Sequence, residues 1–116
     1  MNVVTLNVAS LIKSPSALTR EQGAILYKQI AENLTSGNKV ILDFSDIESL
    51  ITPFLNVSIG KLYETFNSEQ LNTLLEIKHL PDGMQSKFQM VITNAKQYYH
   101  NKSAFIEAVK DVINEQ

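Results

Sequence analysis

Lys39-Val40-Ile41-Leu42-Asp43-Phe44 is a nearly unbroken apolar run at the middle of the chain, and a polar turn and then Thr52-Pro53 follow it. A continuous run of this length, without the alternation of a half-buried strand, predicts a central strand covered on both faces. Thr is a favoured N-cap and Pro is tolerated at the first helical position, so Thr52 is expected to cap a helix running from Pro53 to Phe66. Leu55, Ile59, Leu62 and Phe66 form its core stripe, with Ser58 and Tyr63 at the margins. At about 100° per residue, Phe54 and Val57 cluster with Lys61 on roughly the opposite side. Those two apolar side chains then face solvent, a partner or another part of the fold. The strand-turn-helix junction is the candidate functional site.

The flanking segments supply a fold around that junction. Val3 to Val8 is β-branched enough for a first strand. Ala9 to Leu18 contains Lys13-Ser14-Pro15-Ser16, a loop signal, with Leu11-Ile12 able to pair as a second short strand. Thr19-Arg20-Glu21-Gln22 fits a capping box and starts a helix from Arg20 to about Thr35, stopped by Ser36-Gly37. Gly23 falls on its buried face beside Leu26, Tyr27, Ile30 and Leu34, where a missing side chain allows a close approach. Thr73 to Lys78 is expected as a strand ended by Leu80-Pro81-Asp82-Gly83. Met84, Phe88, Val91, Ile92 and Ala95 mark a helix that Tyr98 and Tyr99 continue, with Gln97 to His100 as an alternative edge strand. A separate amphipathic helix is expected from Ser103 to about Asn114, through Phe105, Ile106, Val109, Val112 and Ile113. Alternating strand and helix patterns predict an α/β domain spanning residues 1–116, with a mixed, mostly parallel sheet of about four strands and about four helices.

Composition narrows the function classes. At 116 residues, 44% hydrophobic and 19% charged, the chain can bury its own core. Its net charge is −2 and it has no cluster of Lys or Arg, which argues against nucleic acid as a partner. No apolar run approaches the roughly 20 residues of a membrane span, and Met1-Asn2 leads straight into a strand pattern, so a cytosolic protein is expected. Zero cysteines exclude disulfides, thiolate ligands and cysteine catalysis.

Convergent chemistry is sparse. His79 and His100 have no second ligand at helical or hairpin spacing, and the four glycines are scattered singly, without a phosphate loop. Asp43, Asp46 and Glu48 crowd within six positions and raise a metal-dependent phosphoesterase as one alternative, although turn carboxylates ordinarily satisfy local backbone donors. A second alternative is a small-molecule or nucleotide-binding domain using the carboxyl edge of the sheet. Thr52 offers a hydroxyl at a helix start, where the dipole and free N–H groups also favour a phosphate.

The residues from Lys39 to Leu50, with the hydroxyl-bearing helix start and Phe54-Leu55-Asn56-Val57-Ser58-Ile59-Gly60-Lys61-Leu62-Tyr63, resemble the bacterial STAS-like domains of unassigned function, relatives of the anti-sigma factor antagonists. Thr19 to Gly23 and Val91 to Lys96 extend the resemblance. The antagonists carry an Asp-Ser-Ser-Gly type sequence at this junction, and the resemblance sets Thr52 on its phosphorylatable serine. Here Ile51, Pro53 and Phe54 replace the Asp, the second Ser and the Gly. The resemblance implies a non-enzymatic partner-switching module without a cofactor, whose protein partner is a kinase-like ATPase. In that reading Asp43, Ser45 and Asp46 shape the turn, Thr52 is the switch, and Phe54, Asn56 and Val57 make the contact.

Overall fold

A computed structural model describes residues 2–114, with side chains described for residues 2–100. Three parallel strands, β1 (Val3–Asn7), β3 (Lys39–Asp43) and β5 (Leu75–Lys78), lie in the order β1-β3-β5. Val4, Val40 and Leu75 are in register, as are Asn7, Asp43 and Lys78. Two further short strands, β2 (Ser16–Ala17) and β4 (Ser49–Leu50), pair parallel with each other in a separate ladder. The expected α/β architecture with a mostly parallel sheet is present, its strands divided between a ladder of three and a ladder of two.

β1 to β3 and β3 to β5 step the same way across the sheet, so right-handed crossovers put both connections on one face. Burial agrees. Val40 and Leu42 are fully buried, whereas on the opposite face Val3 is 57% exposed and Lys39 pairs with Glu76 at 3.7 Å. The β3 run was expected to be covered on both faces; it is covered on one, and Ile41 is only half-buried.

Helix α2 (Arg20–Thr35) starts with the expected capping box: Thr19 Oγ1 accepts from the Gln22 N–H, and Gln22 Oε1 accepts from the Thr19 N–H. It buries Gly23, Leu26, Ile30 and Leu34. The segment expected as loop or strand before it contains a helix instead, α1 (Val8–Ile12). Asn7 caps α1 by accepting from the Ser10 N–H, and Lys13 ends it in the left-handed conformation at φ 58°. Asn67 and Gln70 form a second capping box that starts α5 (Ser68–Leu74), which delays the following strand to Leu75.

The last element, α6 (Gln85–Asn114), is one helix where two were expected, and the alternative edge strand at 97–100 is part of it. Phe88, Val91 and Ala95 face the core as predicted. The expected face of Phe105, Ile106, Val109, Val112 and Ile113 lies outside the residues whose side chains are described. Among the described residues no helix is long and apolar enough to cross a membrane.

Candidate functional site

β3 ends at Asp43, and Phe44 is drawn inward, fully buried, by its N–H donating to the Lys78 carbonyl. The turn closes on itself when the Ile47 N–H donates to the Phe44 carbonyl and the Ile47 side chain is buried. Asp43 Oδ1 accepts from the Ser45 N–H at 2.9 Å and lies 3.0 Å from His79 Nδ1. The Ser45 N–H, then the His79 ring, hold the Asp43 carboxyl below its usual range. Asp46 accepts from the Asn7 side-chain amide at 2.8 Å. The carboxyl ends of β1, β3 and β5 thus present a lip of Asn7, Asp43 and His79 whose polar groups bind one another or the turn.

Asp43 and Ser45 thus share a bond within the turn, and Asp46 ties the turn to Asn7. Glu48 is held apart by its N–H donating to the Pro15 carbonyl. No group of three or more His, Cys, Asp or Glu side chains among the described residues converges to hold a metal ion. Sequence reasoning missed Asn7 and His79, because the contact between 43 and 79 depends on the parallel register of Asp43 with Lys78 and on a left-handed His79 at φ 61°.

The helical run after the turn has three parts: α3 (Thr52–Leu55), a π turn (Asn56–Gly60) and α4 (Leu62–Thr65). Thr52 is not its cap. Ile51 occupies the N-cap position with extended backbone and no side-chain cap bond, and Thr52 is the first helical residue, half-buried, with Pro53 next. Pro53 belongs within the first turn because it has no N–H to satisfy there. In the π turn the Lys61 N–H donates to the carbonyl of Asn56, five residues back, at 3.0 Å. Ser58, fully buried, donates its hydroxyl to the Phe54 carbonyl at 2.8 Å. Such back-bonding and π turns both open a helix locally.

The run is sandwiched between α2 and α6, which buries Phe54, one of the two apolar side chains expected to make the contact. Phe54 is fully buried in the core, and Val57 packs beside Gly23 of α2. A Cβ at Gly23 would stand 2.9 Å from the Phe54 carbonyl oxygen, so the bare backbone of α2 fits against the helix start. The outer apolar face assigned from helical spacing is the seam with α2. Asn56 is exposed, as a contact residue requires.

The exposed apolar side chains at this junction are two others, Leu18 at 44% and Ile51 at 39%. They are the positions after Ala17 and Leu50, which pair in the β2/β4 ladder, and the Ile51 N–H donates to the Ala17 carbonyl at 3.2 Å. Ala17 and Leu50 point into the core, so their successors point out. Gln22 steadies the edge: its amide N–H donates to the Ser16 carbonyl and its oxygen accepts from the Leu18 N–H. Leu18 and Ile51 thus form a small apolar lip at the end of the β2/β4 ladder, with Thr52 next in the chain.

Residues 22–83, just over half of the chain, match the model of a family described as a STAS-like domain of unknown function. That span contains the central strand, the turn and the whole helical run. No curated protein and no solved structure matches the chain.

Proposed function

The chain belongs to the STAS-like domains of unknown function, and on that premise we propose that it is a non-enzymatic regulatory module of the partner-switching type, which docks a kinase-like ATPase in the bacterial cytosol. The observation that carries the reading is the pair Leu18 and Ile51, both exposed at the end of the β2/β4 ladder, with Thr52 next in the chain. Apolar side chains flanking a paired ladder make an interface core, and the polar rim is supplied by Ser49, Thr19 and Asn56, all exposed.

In this reading Thr52 regulates the surface. A phosphate on its hydroxyl would sit in the first turn of the helical run, where negative charge is favoured, and would add close to two charges beside Ile51 and Leu18. Docking of an apolar partner surface would then require desolvating that charge. Ile51 sharpens the proposal: an apolar residue where the antagonist pattern has Asp adds contact area at the expense of an acidic neighbour to the switch hydroxyl.

Co-purification tests it. The tagged domain should retain a kinase-like ATPase from the same genome, Ile51→Asp should lose it, and intact-mass measurement after incubation with ATP should report any phosphate. Equal recovery by wild type and Ile51→Asp would overturn the docking assignment.

A further inference from the structure

On the far side of the helical run from the sheet, α2, the π turn and α6 enclose a groove of about 570 Å³ lined by Arg20, Pro53, Asn56, Val57, Lys61, Tyr98 and Tyr99. A smaller recess of about 180 Å³ shares Asn56, Tyr98 and Tyr99 and adds Gly60, Asn94 and Ala95. The combined space is within the range of small-molecule sites. We propose that this groove binds a small organic phosphate bearing a planar ring, with Arg20 and Lys61 on the phosphate and the ring laid on Tyr98.

The wall chemistry points to that class. Its only charged lining groups among the described residues are the two cations Arg20 and Lys61, brought from different helices to one cavity, and no carboxylate lines it. Two cationic side chains at the wall of one groove favour a phosphate, which can accept from both. The Lys61 Nζ lies 4.9 Å from the centre of the Tyr27 ring, beside the groove. Tyr98 presents an exposed ring, 61% accessible, braced edge-on by Tyr99 with centroids 4.9 Å apart. Burial and the nearby Glu64 carboxylate raise the Tyr99 phenol, so that ring stays neutral and serves as the brace. Asn56 and Asn94 add amide donors and acceptors for the polar atoms of a ring.

The backbone gives the same direction. The π turn supplies Asn56, Val57 and Gly60 to the walls, and Lys61 follows it as its C-cap. Such turns are rare, cost hydrogen-bond geometry and cluster at functional sites. Here the turn widens the helix where the groove needs room, and Gly60 leaves the recess open, with the Ala95 and Val91 side chains 3.6 Å from where its Cβ would be.

Titration of the full chain with phenyl phosphate, AMP and inorganic phosphate, followed by amide NMR shifts, tests the proposal. At least one ring-bearing phosphate should saturate, moving Asn56, Val57 and Lys61, with a Kd at least about tenfold below that of inorganic phosphate. Arg20→Ala should raise that Kd about tenfold, and Tyr98→Ala about fivefold for the ring-bearing ligand with no change for inorganic phosphate. Both side chains are exposed, so neither variant should alter the fold, which its own spectrum verifies. Asp43→Asn, at the opposite lip, should leave binding unchanged. No saturation by either ring-bearing ligand up to about 5 mM, equal affinity of Arg20→Ala and wild type, or loss of binding in Asp43→Asn would overturn it.

Discussion

Gly23 of α2 lies against Phe54 so closely that a Cβ at position 23 would stand 2.9 Å from the Phe54 carbonyl oxygen. That oxygen is backbone and already accepts the Ser58 hydroxyl, so it has little freedom to retreat. The contact locks the start of the helical run to α2 and leaves Ile51, one residue outside that run, to point outward.

Gly23→Ala should therefore destabilise the domain, although Ala is the better helix former by about 1 kcal/mol. Forcing the helices apart costs about 1–3 kcal/mol beyond that gain. Urea unfolding should show a lower midpoint with an unchanged slope. A raised midpoint would contradict the contact.

Gly60→Ala should behave in the opposite sense. A Cβ there would meet Ala95 and Val91 at 3.6 Å, ordinary contact distance, with no backbone clash. The helix propensity gain then stands alone, and the expected change is neutral to stabilising by up to about 1 kcal/mol. The same urea experiment checks it, and a lower midpoint would contradict the spacing.

Asp43 should leave a mark on acid stability. Its carboxyl is held below the ordinary value by the Ser45 N–H first and the His79 ring second, so its contribution is full above that value and is lost as pH falls through the lowered one. Asp43→Asn should be less stable than wild type at neutral pH and should lose less on acidification. His79→Ala should show a smaller version of the same change, since it removes the lesser cause. Melting temperatures between about pH 3 and pH 7 measure this. Parallel wild-type and Asp43→Asn curves would contradict it.

Leu18→Asp and Ile51→Asp should leave stability within about 0.5 kcal/mol of wild type, because both side chains are already in water. Thr52→Glu should be equally mild, since an acidic side chain in the first turn suits the helix dipole. A large fall in melting temperature for any of the three would mean the lip is structural.

The capping box at Thr19 and Gln22, the helix to Thr35 and the central position of Lys39–Asp43 were all legible in the sequence, because each is governed by residues close together in the chain. The close approach at Gly23 was legible in kind, but not its partner. Asn67-Ser68-Glu69-Gln70, where a short helical turn is expected from sequence, repeats the capping pattern and starts α5. α1 was not legible: five apolar-rich residues fit a strand as well, and the Asn7 cap and left-handed Lys13 decide it.

The site was harder to read for the same reason. The helical wheel placed Leu55, Ile59 and Leu62 in the core correctly, yet it knows only one face of a helix at a time. Phe54 is buried and Val57 half-buried beside α2, which lies far away in sequence. Leu18 and Ile51 gained meaning only once β2 and β4 paired, and two-residue strands leave no periodicity to detect. The π turn shows only as a five-residue hydrogen bond, which nothing in the residue types announces.

The docking surface itself is tested most directly by calorimetric titration of the purified domain against a kinase-like ATPase that co-purifies with it. Wild type should bind saturably, and Leu18→Asp and Ile51→Asp should each weaken binding by at least about tenfold, a loss of about 1.4 kcal/mol. Thr52→Glu should weaken it similarly, while Thr5→Asp on the open face of the sheet should bind as wild type does. Undiminished binding by both Leu18→Asp and Ile51→Asp would contradict the account.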